Sequence, residues 1–455
     1  MFLFVSFVDF LHAVHKIPGI MIPTFRLDNC EGRAGVEALL GKLRLMPADV
    51  ALGQGKDVAA VQEILADVAK RGDAAVVDSS RKFDDPNFSA DQIRVKPAEM
   101  ADAARRIPPE LMSALRRSIA QVREYQKAFL PNDPPRLERA GVSLGMRFTP
   151  MDSAGLYFPA GKASYPSSLI HLAVPAQVAG VKKIAVATPP SKYGRSDLVL
   201  AAAHELELTD VFRAGGAAAI AAMAFGTQTI PVVDKIVGPG NKYVQLAKRA
   251  LAGCVGIDGF LGPSEILVLA DESASPAFIA ADLIAQAEHD PGSCFLLTTS
   301  ETLAKDVVAE IEKQGRVLSR LPALEKALRD WSAVIIGNSM DELVELADRF
   351  AAEHVNVQTK DDETVLKKLR HAGAVFLGRY SPVAAGDYVA GPSHCLPTNT
   401  TGRFTSGISV YEFLKRSSVV RYEASGLIAD ADAIIRMAEA EGLDGHAASV
   451  RVRGK

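Results

Sequence analysis

The chain has 455 residues, of which 48% are apolar, and this is enough to bury more than one hydrophobic core. Its 51 basic and 54 acidic side chains are mixed along the sequence and leave a formal net charge of −3, without a basic stripe for a phosphate backbone. We therefore expect no nucleic acid partner. Cys30, Cys254, Cys294 and Cys395 form no CxxC pair, so neither a disulfide framework nor a cysteine zinc site is indicated, and a reducing cytoplasm is favoured.

The first residues are apolar but do not have the pattern of a signal peptide. Asp9 interrupts the apolar stretch, no Lys or Arg precedes it, and no small-residue cleavage site follows it. The stretch is also too short for a membrane-spanning helix, which needs about 20 apolar residues, so no membrane association is expected. We hypothesise that translation starts at Met21, which would make residues 1–20 an over-extended start or a disordered arm.

Helical periodicity dominates the first part of the chain. Over residues 57–71 and 109–128, apolar residues recur at three- and four-residue spacing, which predicts helices packed by one face. A further Ala-rich amphipathic helix is predicted over residues 429–441, and the segment after about Ser409 is expected to lie outside the main sheets.

From residue 154 onward, short apolar runs alternate with helical stretches. The first set of predicted strands is GLYFP, KIAVAT, DVFRAGG and VDKIVGPG, with helices over residues 168–179 and 217–225. The second set is EILVLAD, CFLLTT, AVIIG, HVNVQT and AVFLG, separated by helices that begin near Pro276, Leu303, Met340 and Asp362. Because strand and helix alternate, we predict an α/β fold with two Rossmann-like parallel-sheet domains, plus small helical N- and C-terminal segments.

One predicted helix ends in a pair of candidate metal ligands. It begins with Ser275 as N-cap and Pro276 in the first turn, and Gln286 and His289 lie three residues apart on one face near its C-terminal end. Such a pair can bind one metal ion from one side. Taken alone, however, a helical His is more commonly an ordinary hydrogen-bonded residue.

Three other short segments concentrate polar side chains that could take part in chemistry. They are AAEHVNV with Glu353 and His354, AAGDYVAGPSHCLPT with Asp387 and His394, and EGLDGH with Glu441 and His446. Each could be explained separately, as a salt-bridged loop pair or a turn residue. Together with the helical pair they predict a functional site.

The ordered segments GLYFPAG, VDKIVGPGN, GPSEILVLAD, QAEH, AEH, SPVAAGDYVAGPSHCLPT and GLDGH resemble those of histidinol dehydrogenases, from about residue 21 to residue 452. The resemblance implies a zinc- and NAD-dependent alcohol and aldehyde dehydrogenase. Such an enzyme oxidises L-histidinol through L-histidinaldehyde to L-histidine with two NAD, the last step of histidine biosynthesis.

The resemblance also implies roles for individual residues. The zinc ligands would be Gln286, His289, Asp387 and His446, and the acid/base pair Glu353 and His354. The substrate would be contacted by these ligands and by His354, Ser264, His394 and Glu441. Two imidazoles, a carboxylate and an amide oxygen suit a borderline cation such as zinc and leave room for substrate in its coordination shell.

The expected cofactor site is atypical. No GxGxxG follows a predicted strand, so the usual dinucleotide fingerprint is absent, and the family is known for an unusual site. Tyr157 and Asn241 match two of the family's NAD contacts, although a core aromatic and a turn residue would explain them equally well. Ala218 stands where the family usually has Gln, and the lost hydrogen bond, worth about 1 kcal/mol, implies weaker NAD affinity.

The resemblance also suggests a division of the chain. The expected parts are residues 21–50 as an N-terminal segment, 51–153 with 266–408 as a first α/β domain with most zinc and catalytic residues, 154–265 as a second, NAD-binding α/β domain, and 409–455 as a C-terminal dimer-exchange segment. In the implied homodimer, Glu441 and His446 would act in the partner's site.

Two alternatives remain open at this level. One is a related enzyme that oxidises another primary alcohol, such as a sulfonated diol. The other is a catalytically silent zinc-binding homologue. The intact acid/base pair and ligand positions argue against the silent homologue, because polar groups in one cleft are costly to retain.

Overall fold

A computed structural model describes residues 21–44, 55–160, 163–259, 261–262, 264–289, 292–318 and 320–454. The hypothesis about residues 1–20 lies outside the described residues. Within the described ranges, none of the helices combines the length and apolar character that crossing a membrane requires.

The described strands fall into three sheets. In chain order they are β1 (Thr24–Arg26), β2 (Leu137–Arg139), β3 (Val142–Pro150), β4 (Ser153–Tyr157), β5 (Lys183–Thr188), β6 (Asp210–Arg213), β7 (Lys235–Val237), β8 (Gly256–Ile257), β9 (Ser264–Ala270), β10 (Gly292–Thr298), β11 (Ala333–Ile336), β12 (His354–Gln358), β13 (Ala374–Leu377) and β14 (Leu414–Tyr422).

The described α-helices cover the sheets and form the C-terminal tail. In chain order they are α1 (Cys30–Leu43), α2 (Lys56–Arg71), α3 (Asp73–Phe83), α4 (Pro97–Arg106), α5 (Pro109–Ala128), α6 (Pro166–Ala179), α7 (Asp197–Glu205), α8 (Gly216–Phe225), α9 (Lys242–Leu251), α10 (Pro276–Ala287), α11 (Glu301–Gly315), α12 (Leu321–Trp331), α13 (Met340–Phe350), α14 (Asp362–Lys368), α15 (Val383–Tyr388), α16 (Ala424–Ala440) and α17 (Asp444–Arg451).

Two of the sheets are parallel, which confirms the predicted fold class. The five-stranded sheet has the order β6-β5-β4-β7-β8, and the six-stranded sheet has the order β1-β11-β10-β9-β12-β13. All pairings in both sheets are parallel. In the five-stranded sheet the chain starts at the central strand β4, adds β5 and β6 on one side, and then crosses over to add β7 and β8. In the six-stranded sheet, apart from the edge strand β1, it starts at β9, adds β10 and β11 on one side, and then crosses over to add β12 and β13. This reversal is the switch point of a doubly wound sheet.

The central strands β9 and β10 of the six-stranded sheet are mostly apolar because helices cover both faces. Every residue of β10 is buried, and so are all residues of β9 after the first. One face packs against α10 and α11 through residues such as Leu283 and Val307, and the other against α1 and α13 through Leu39 and Leu343. Burial on both faces explains why β9 and β10 are nearly continuous hydrophobic runs and not alternating patterns.

Packing corrects the expected grouping of residues 51–153. Helices α2 and α5, which lie in that range, belong to the core of the five-stranded sheet. Val61 of α2 packs in the same cluster as Tyr157 and Phe212, and Met112 of α5 packs in the same cluster as Leu156. The sequence pattern shows that a helix has one buried face but not which sheet covers that face.

The N-terminal segment is also not separate. Strand β1 pairs in parallel with β11, with Thr24 opposite Val334, so residues 24–26 form an edge strand of the six-stranded sheet. A three-residue strand is too short to give a periodicity signal.

The C-terminal segment contains a strand where only helical structure was expected. All nine residues of β14 pair antiparallel with β3, and β2 completes this third sheet. Strand β14 is mostly exposed, and its sequence LKRSSVVRY therefore lacks the buried apolar positions that identify strands. The predicted C-terminal helix is present and extends over residues 424–440.

Candidate active site

The predicted zinc and catalytic residues of the first α/β unit lie at the amino edge of the six-stranded sheet. Ser264 is the first residue of β9 and His354 the first of β12, and these two strands are neighbours. Helix α10 ends at Ala287, so its C-terminal turn brings Gln286 to the same edge, with His289 just beyond. Three separate stretches of sequence therefore meet at one end of the sheet.

Glu353 and Glu265 are two buried carboxylic acids that bind each other's backbone. The Glu353 Oε2 accepts a hydrogen bond of 2.9 Å from the Glu265 backbone N–H, and the Glu353 backbone N–H binds the Glu265 carboxylate in return. The Asn399 N–H also donates to Glu265 Oε1, at 2.9 Å. Burial raises the pKa of Glu265 to about 7 and that of Glu353 well above its ordinary value. Because burial disfavours the charged form, both carboxyls bind a proton more readily than an exposed glutamate does.

The orientation of His354 is set by the same strand. Its Nδ1 lies 3.0 Å from the Glu265 carbonyl oxygen, which can only accept, so Nδ1 donates and bears the hydrogen. In the neutral ring Nε2 then carries no hydrogen. The nearest carboxylate oxygen to it is Asp387 Oδ1, 4.0 Å away. Burial lowers the pKa of His354 to about 4, so the ring is neutral and able to accept a proton.

Asp387, in the short helix α15, lies near Nε2 of the His354 ring, whereas the Glu265 carbonyl lies at Nδ1. Burial raises its pKa to about 7, and among the described residues no Lys or Arg lies within ion-pair distance of it. Its backbone carbonyl accepts a hydrogen bond of 3.0 Å from His394 Nδ1, while His394 Nε2 lies 3.1 Å from the Ser168 hydroxyl. Both ring nitrogens of His394 are therefore bound within the protein.

Sequence reasoning did not single out Glu265, Ser168 and His171. His171 is fully buried and stacks on His394, with ring centroids 4.6 Å apart. Ser168 and His171 lie on α6, which covers the five-stranded sheet, so the site is completed by the other half of the chain. The sequence signal that could have identified this helix was a histidine within the apolar run SSLIHLAV.

Three of the four predicted zinc ligands lie in this region. His289 is close enough to His354 and His394 to lower the pKa of both rings. Burial lowers the pKa of His289 itself, which favours the neutral imidazole that binds metals. The Asp387 carboxyl, which has no Lys or Arg within ion-pair distance among the described residues, is the acidic group that a cation would compensate. The residues therefore fit a metal ion, although within the described part of the chain no three His, Cys, Asp or Glu side chains are already arranged around one.

The fourth predicted ligand lies elsewhere in the same chain. His446 is exposed on α17, and Glu441, at the end of α16, is exposed as well. Helices α16 and α17 pack mainly on each other and on β14. The structure of one chain does not bring these two residues to the amino edge of the six-stranded sheet.

The predicted cofactor residues lie at the carboxyl edge of the five-stranded sheet. Tyr157 ends β4, and its hydroxyl accepts a hydrogen bond of 3.1 Å from the Gly216 N–H at the start of α8, which leaves the phenolic O–H free to donate. Asn241 follows β7 and caps α9 by accepting from the N–H groups of Tyr243 and Val244. These residues lie on either side of the switch point between β4 and β7, where such sheets bind nucleotides.

A buried ion pair holds the backbone of the loop before Asn241 through hydrogen bonds to Gly238. Lys248 and Asp258 are fully buried and hydrogen-bonded to each other. The Gly238 N–H donates to Asp258 at 2.6 Å, and Lys248 donates to the Gly238 carbonyl at 3.1 Å. Ala218 is 1% exposed within α8, so this position presents almost no surface to a ligand.

The chain is similar to known proteins over most of its length. A family model described as Histidinol dehydrogenase matches residues 52–454. The chain is 45% identical over 397 residues to a histidinol dehydrogenase of Synechococcus sp., covering 87% of this chain and 92% of that protein. It is 45% identical over 395 residues to one of Bacillus subtilis, with 86% and 92% covered.

A solved structure extends the similarity to three dimensions. The crystal structure of histidinol dehydrogenase from Elizabethkingia anophelis superposes with a TM-score of 0.88 at 33% identity, over 95% of this chain and 98% of that one. Sequence and fold thus match over almost the whole length. The chain belongs to the histidinol dehydrogenase family.

Proposed function

We propose that the protein oxidises L-histidinol to L-histidine through L-histidinaldehyde, with two NAD reduced for each substrate. The observation that supports this most strongly is the buried His354 ring, whose Nδ1 is bound to the Glu265 carbonyl and whose Nε2 has Asp387 Oδ1 at 4.0 Å but no hydrogen-bond partner among the described residues. A neutral imidazole with a fixed tautomer is suited to remove a hydroxyl proton.

In the first oxidation, His354 Nε2 takes the proton of the substrate hydroxyl as hydride leaves the carbinol carbon. The Glu265 carbonyl stabilises the imidazolium that forms, because it remains hydrogen-bonded to Nδ1–H. The Asp387 carboxyl, 4.0 Å from Nε2, adds a negative charge when it is ionised. Because Asp387 is itself held through His394 and Ser168, the distance between the two groups is maintained by the fold.

In the second oxidation, Glu353 accepts a proton from the water that attacks the aldehyde. A carboxyl whose pKa is raised by burial is a stronger base once ionised than an exposed one. Its hydrogen bond from the Glu265 N–H keeps Oε2 in place beside His354 Nδ1, at 3.5 Å. The aldehyde hydrate can then lose its second hydride at the same position.

Both cofactors are part of the proposal. Gln286, His289 and Asp387 would hold a zinc ion, and Tyr157 and Asn241 would contact NAD, with Ala218 near the cofactor. When bound, zinc acts as a Lewis acid that orients the substrate, and NAD accepts the hydride. The half-buried Asp387 carboxyl, which has no Lys or Arg partner among the described residues, and the neutral His289 support the zinc site.

We further propose a homodimer in which the tail of one subunit completes the site of the other. The exposure of His446 and Glu441 in the single chain supports this, because a zinc ligand and an ammonium-binding carboxylate need a site to act in. The exposed apolar residues Ile428 and Met437 on α16, each 66% exposed, are suited to burial in an interface. All four cysteines are free, which supports a cytoplasmic location.

The test is the amount of NADH formed per L-histidinol by zinc-loaded protein, compared between wild type and two variants. Wild type should give two NADH per substrate, His354→Asn should lose both oxidations by about a hundredfold or more, and Glu353→Gln should lose mainly the second. Glu345→Gln, an exposed substitution on α13, is the matched control. Zinc-loaded protein that forms no NADH from histidinol but oxidises another primary alcohol would contradict the proposed substrate.

A further inference from the structure

We propose that Asp84 binds the hydroxyls of the adenosine ribose of the dinucleotide and makes the protein select NAD over NADP. This inference rests on the proposed NAD cofactor and adds to it a residue that determines its specificity. Asp84 directly follows α3, which ends at Phe83, and therefore belongs to none of the strands of the five-stranded sheet or the turns between them.

The Asp84 carboxyl lies at the carboxyl edge of the five-stranded sheet. A Cβ placed on Gly215 would be 2.8 Å from Asp84 Oδ2 and 3.2 Å from the Pro189 side chain. Pro189 directly follows β5, while Gly215 follows β6 and precedes α8. Burial, and then the negative charge of Asp84, raise the pKa of the Tyr157 hydroxyl at the end of β4. Asp84 thus lies beside the ends of three neighbouring strands, β6, β5 and β4.

This position corresponds to that of the acidic residue in doubly wound dinucleotide-binding sheets. In those sheets the first strand borders the switch point, and an acidic side chain at the end of the second strand binds the adenosine ribose. Here β4 is the first strand of the sheet and β5 the second. Strand β5 ends in Thr188 and is followed by two prolines, so it offers no carboxylate there. Asp84 supplies one from a helix outside the sheet.

The Asp84 carboxyl has no partner of its own among the described residues. Burial raises its pKa to about 6, and no hydrogen bond or cation there lowers it. The neighbouring Arg195 is bound to the Asp85 carboxylate, at 2.7 Å. Asp84 also does not cap α8, because the Gly216 N–H donates to the Tyr157 hydroxyl. A half-buried carboxylate without donors lowers stability, so its presence at this edge points to a ligand that donates hydrogen bonds.

The ribose hydroxyls are the donors that suit this carboxylate. A carboxylate accepts hydrogen bonds only, and the neighbouring 2′- and 3′-hydroxyls of a ribose can donate one to each of its oxygens. In NADP the 2′-hydroxyl carries a phosphate, which removes one donor and places a second negative group against Asp84. Among the described residues, no Lys or Arg lies within ion-pair distance of Asp84 to neutralise both charges. The same side chain therefore favours NAD and disfavours NADP.

The inference can be tested by calorimetric titration of the full-length protein with NAD and with NADP, at about pH 8, where a carboxyl with a pKa of about 6 is ionised. Wild type should bind NADP at least about a hundredfold more weakly than NAD. Asp84→Asn should weaken NAD binding roughly tenfold and reduce the preference for NAD by about tenfold or more, because the amide is a weaker acceptor and does not repel phosphate. Asp306→Asn, the same change at an exposed position on α11, should alter neither affinity.

A second measurement changes the ligand and leaves the protein intact. NAD that lacks the 2′-hydroxyl of the adenosine ribose should bind to wild type roughly tenfold more weakly than NAD. In Asp84→Asn the same change of ligand should cost about threefold or less, since the partner of that hydroxyl has already been weakened. This difference between the two proteins assigns the hydroxyl to Asp84 and does not arise from a general loss of stability.

The proposal is overturned if wild type binds NAD and NADP equally well, or if Asp84→Asn has the same ratios of affinity for the three dinucleotides as wild type. The expected ratios in a protein that does not oxidise histidinol would contradict the proposed substrate and leave this inference standing. If neither NAD nor NADP bound to wild type, the proposed cofactor would be wrong and this inference would fail with it.

Discussion

Apart from the additional edge strand β1, the two parallel sheets have the same strand order, but they present their candidate sites at opposite edges. In the five-stranded sheet, Tyr157 and Asn241 follow strands and lie at the carboxyl edge. In the six-stranded sheet, Ser264 and His354 begin strands and lie at the amino edge. Topology therefore indicates where a crevice opens at the carboxyl edge, but it does not indicate where polar chemistry will be placed.

The amino edge becomes a site because the other half of the chain covers it. Ser168 and His171, on a helix of the five-stranded sheet, contact His394 and through it the Asp387 segment. Because these contacts help to bury the His394 ring, the lowered pKa of His394 depends in part on how the two halves of the chain meet.

The largest expected effect concerns the buried pair below the cofactor edge. Lys248→Met leaves the Asp258 carboxylate buried without its partner, so we expect a loss of about 3–5 kcal/mol in the free energy of unfolding. Chemical denaturation measures this. The double variant Lys248→Met with Asp258→Asn should recover part of the loss, and a double variant as unstable as the single one would show that the charge is not the cause.

The separation of the two edges can be tested through the zinc site. Asp387→Ala removes the proposed carboxylate ligand, so zinc affinity should fall by more than about a hundredfold, the upper range for second-shell partners. Zinc content after dialysis measures this. NAD binding by calorimetry should change little, because Tyr157 and Asn241 lie on the other sheet. If Asp387→Ala weakened NAD binding as much as zinc binding, the two ligands would not bind independently at the two edges.

Close packing at the cofactor edge can be tested with two glycines. Gly238 has φ +123°, and a Cβ there would lie 1.8 Å from the Tyr157 carbonyl oxygen. Gly253 also has a positive φ, of +96°, but a Cβ would meet nothing within 4 Å. Gly238→Ala should therefore destabilise the fold by about 1–3 kcal/mol more than Gly253→Ala, and should raise the KM for NAD. Equal effects would indicate backbone strain alone.

The smallest effect concerns the pH dependence of stability near the cofactor edge. Burial raises the pKa of Asp84, which lies close to Tyr157, to about 6, against 3.8 in the unfolded chain. The folded state thus binds more protons between these values, and stability falls as pH rises through that window. Asp84→Asn should raise the melting temperature above pH 6, and the gain should disappear below pH 4. A gain independent of pH would exclude the titration of Asp84.

Much of the secondary structure was predictable from the sequence. The strand KIAVAT and the helix over residues 109–128 have the bounds expected from their patterns, because a buried apolar run and a one-sided periodicity are local properties. Strands β1, β2, β3, β8 and β14 were not predicted, since they are short or largely exposed. The partners of β1 and β14 are also distant in sequence.

The candidate site was predictable only in part. Gln286, His289, Glu353, His354 and Asp387 could be named from motifs, but the Glu265 carbonyl that fixes the His354 tautomer is a backbone group, which no motif reveals. In the same way, Asp84 is an ordinary residue at the end of a helix until the fold places its carboxyl beside Gly215.

By itself, the sequence determined the fold class, the order of most elements and the family, because apolar periodicity and motif spacing are encoded along the chain. Only the tertiary structure decided which sheet each early helix covers, which edge of each sheet bears polar groups, and that Glu441 and His446 lie exposed, away from the other candidate site residues. The physical reason is that burial, pKa and pairing depend on atoms that lie far apart in sequence and close together only after folding.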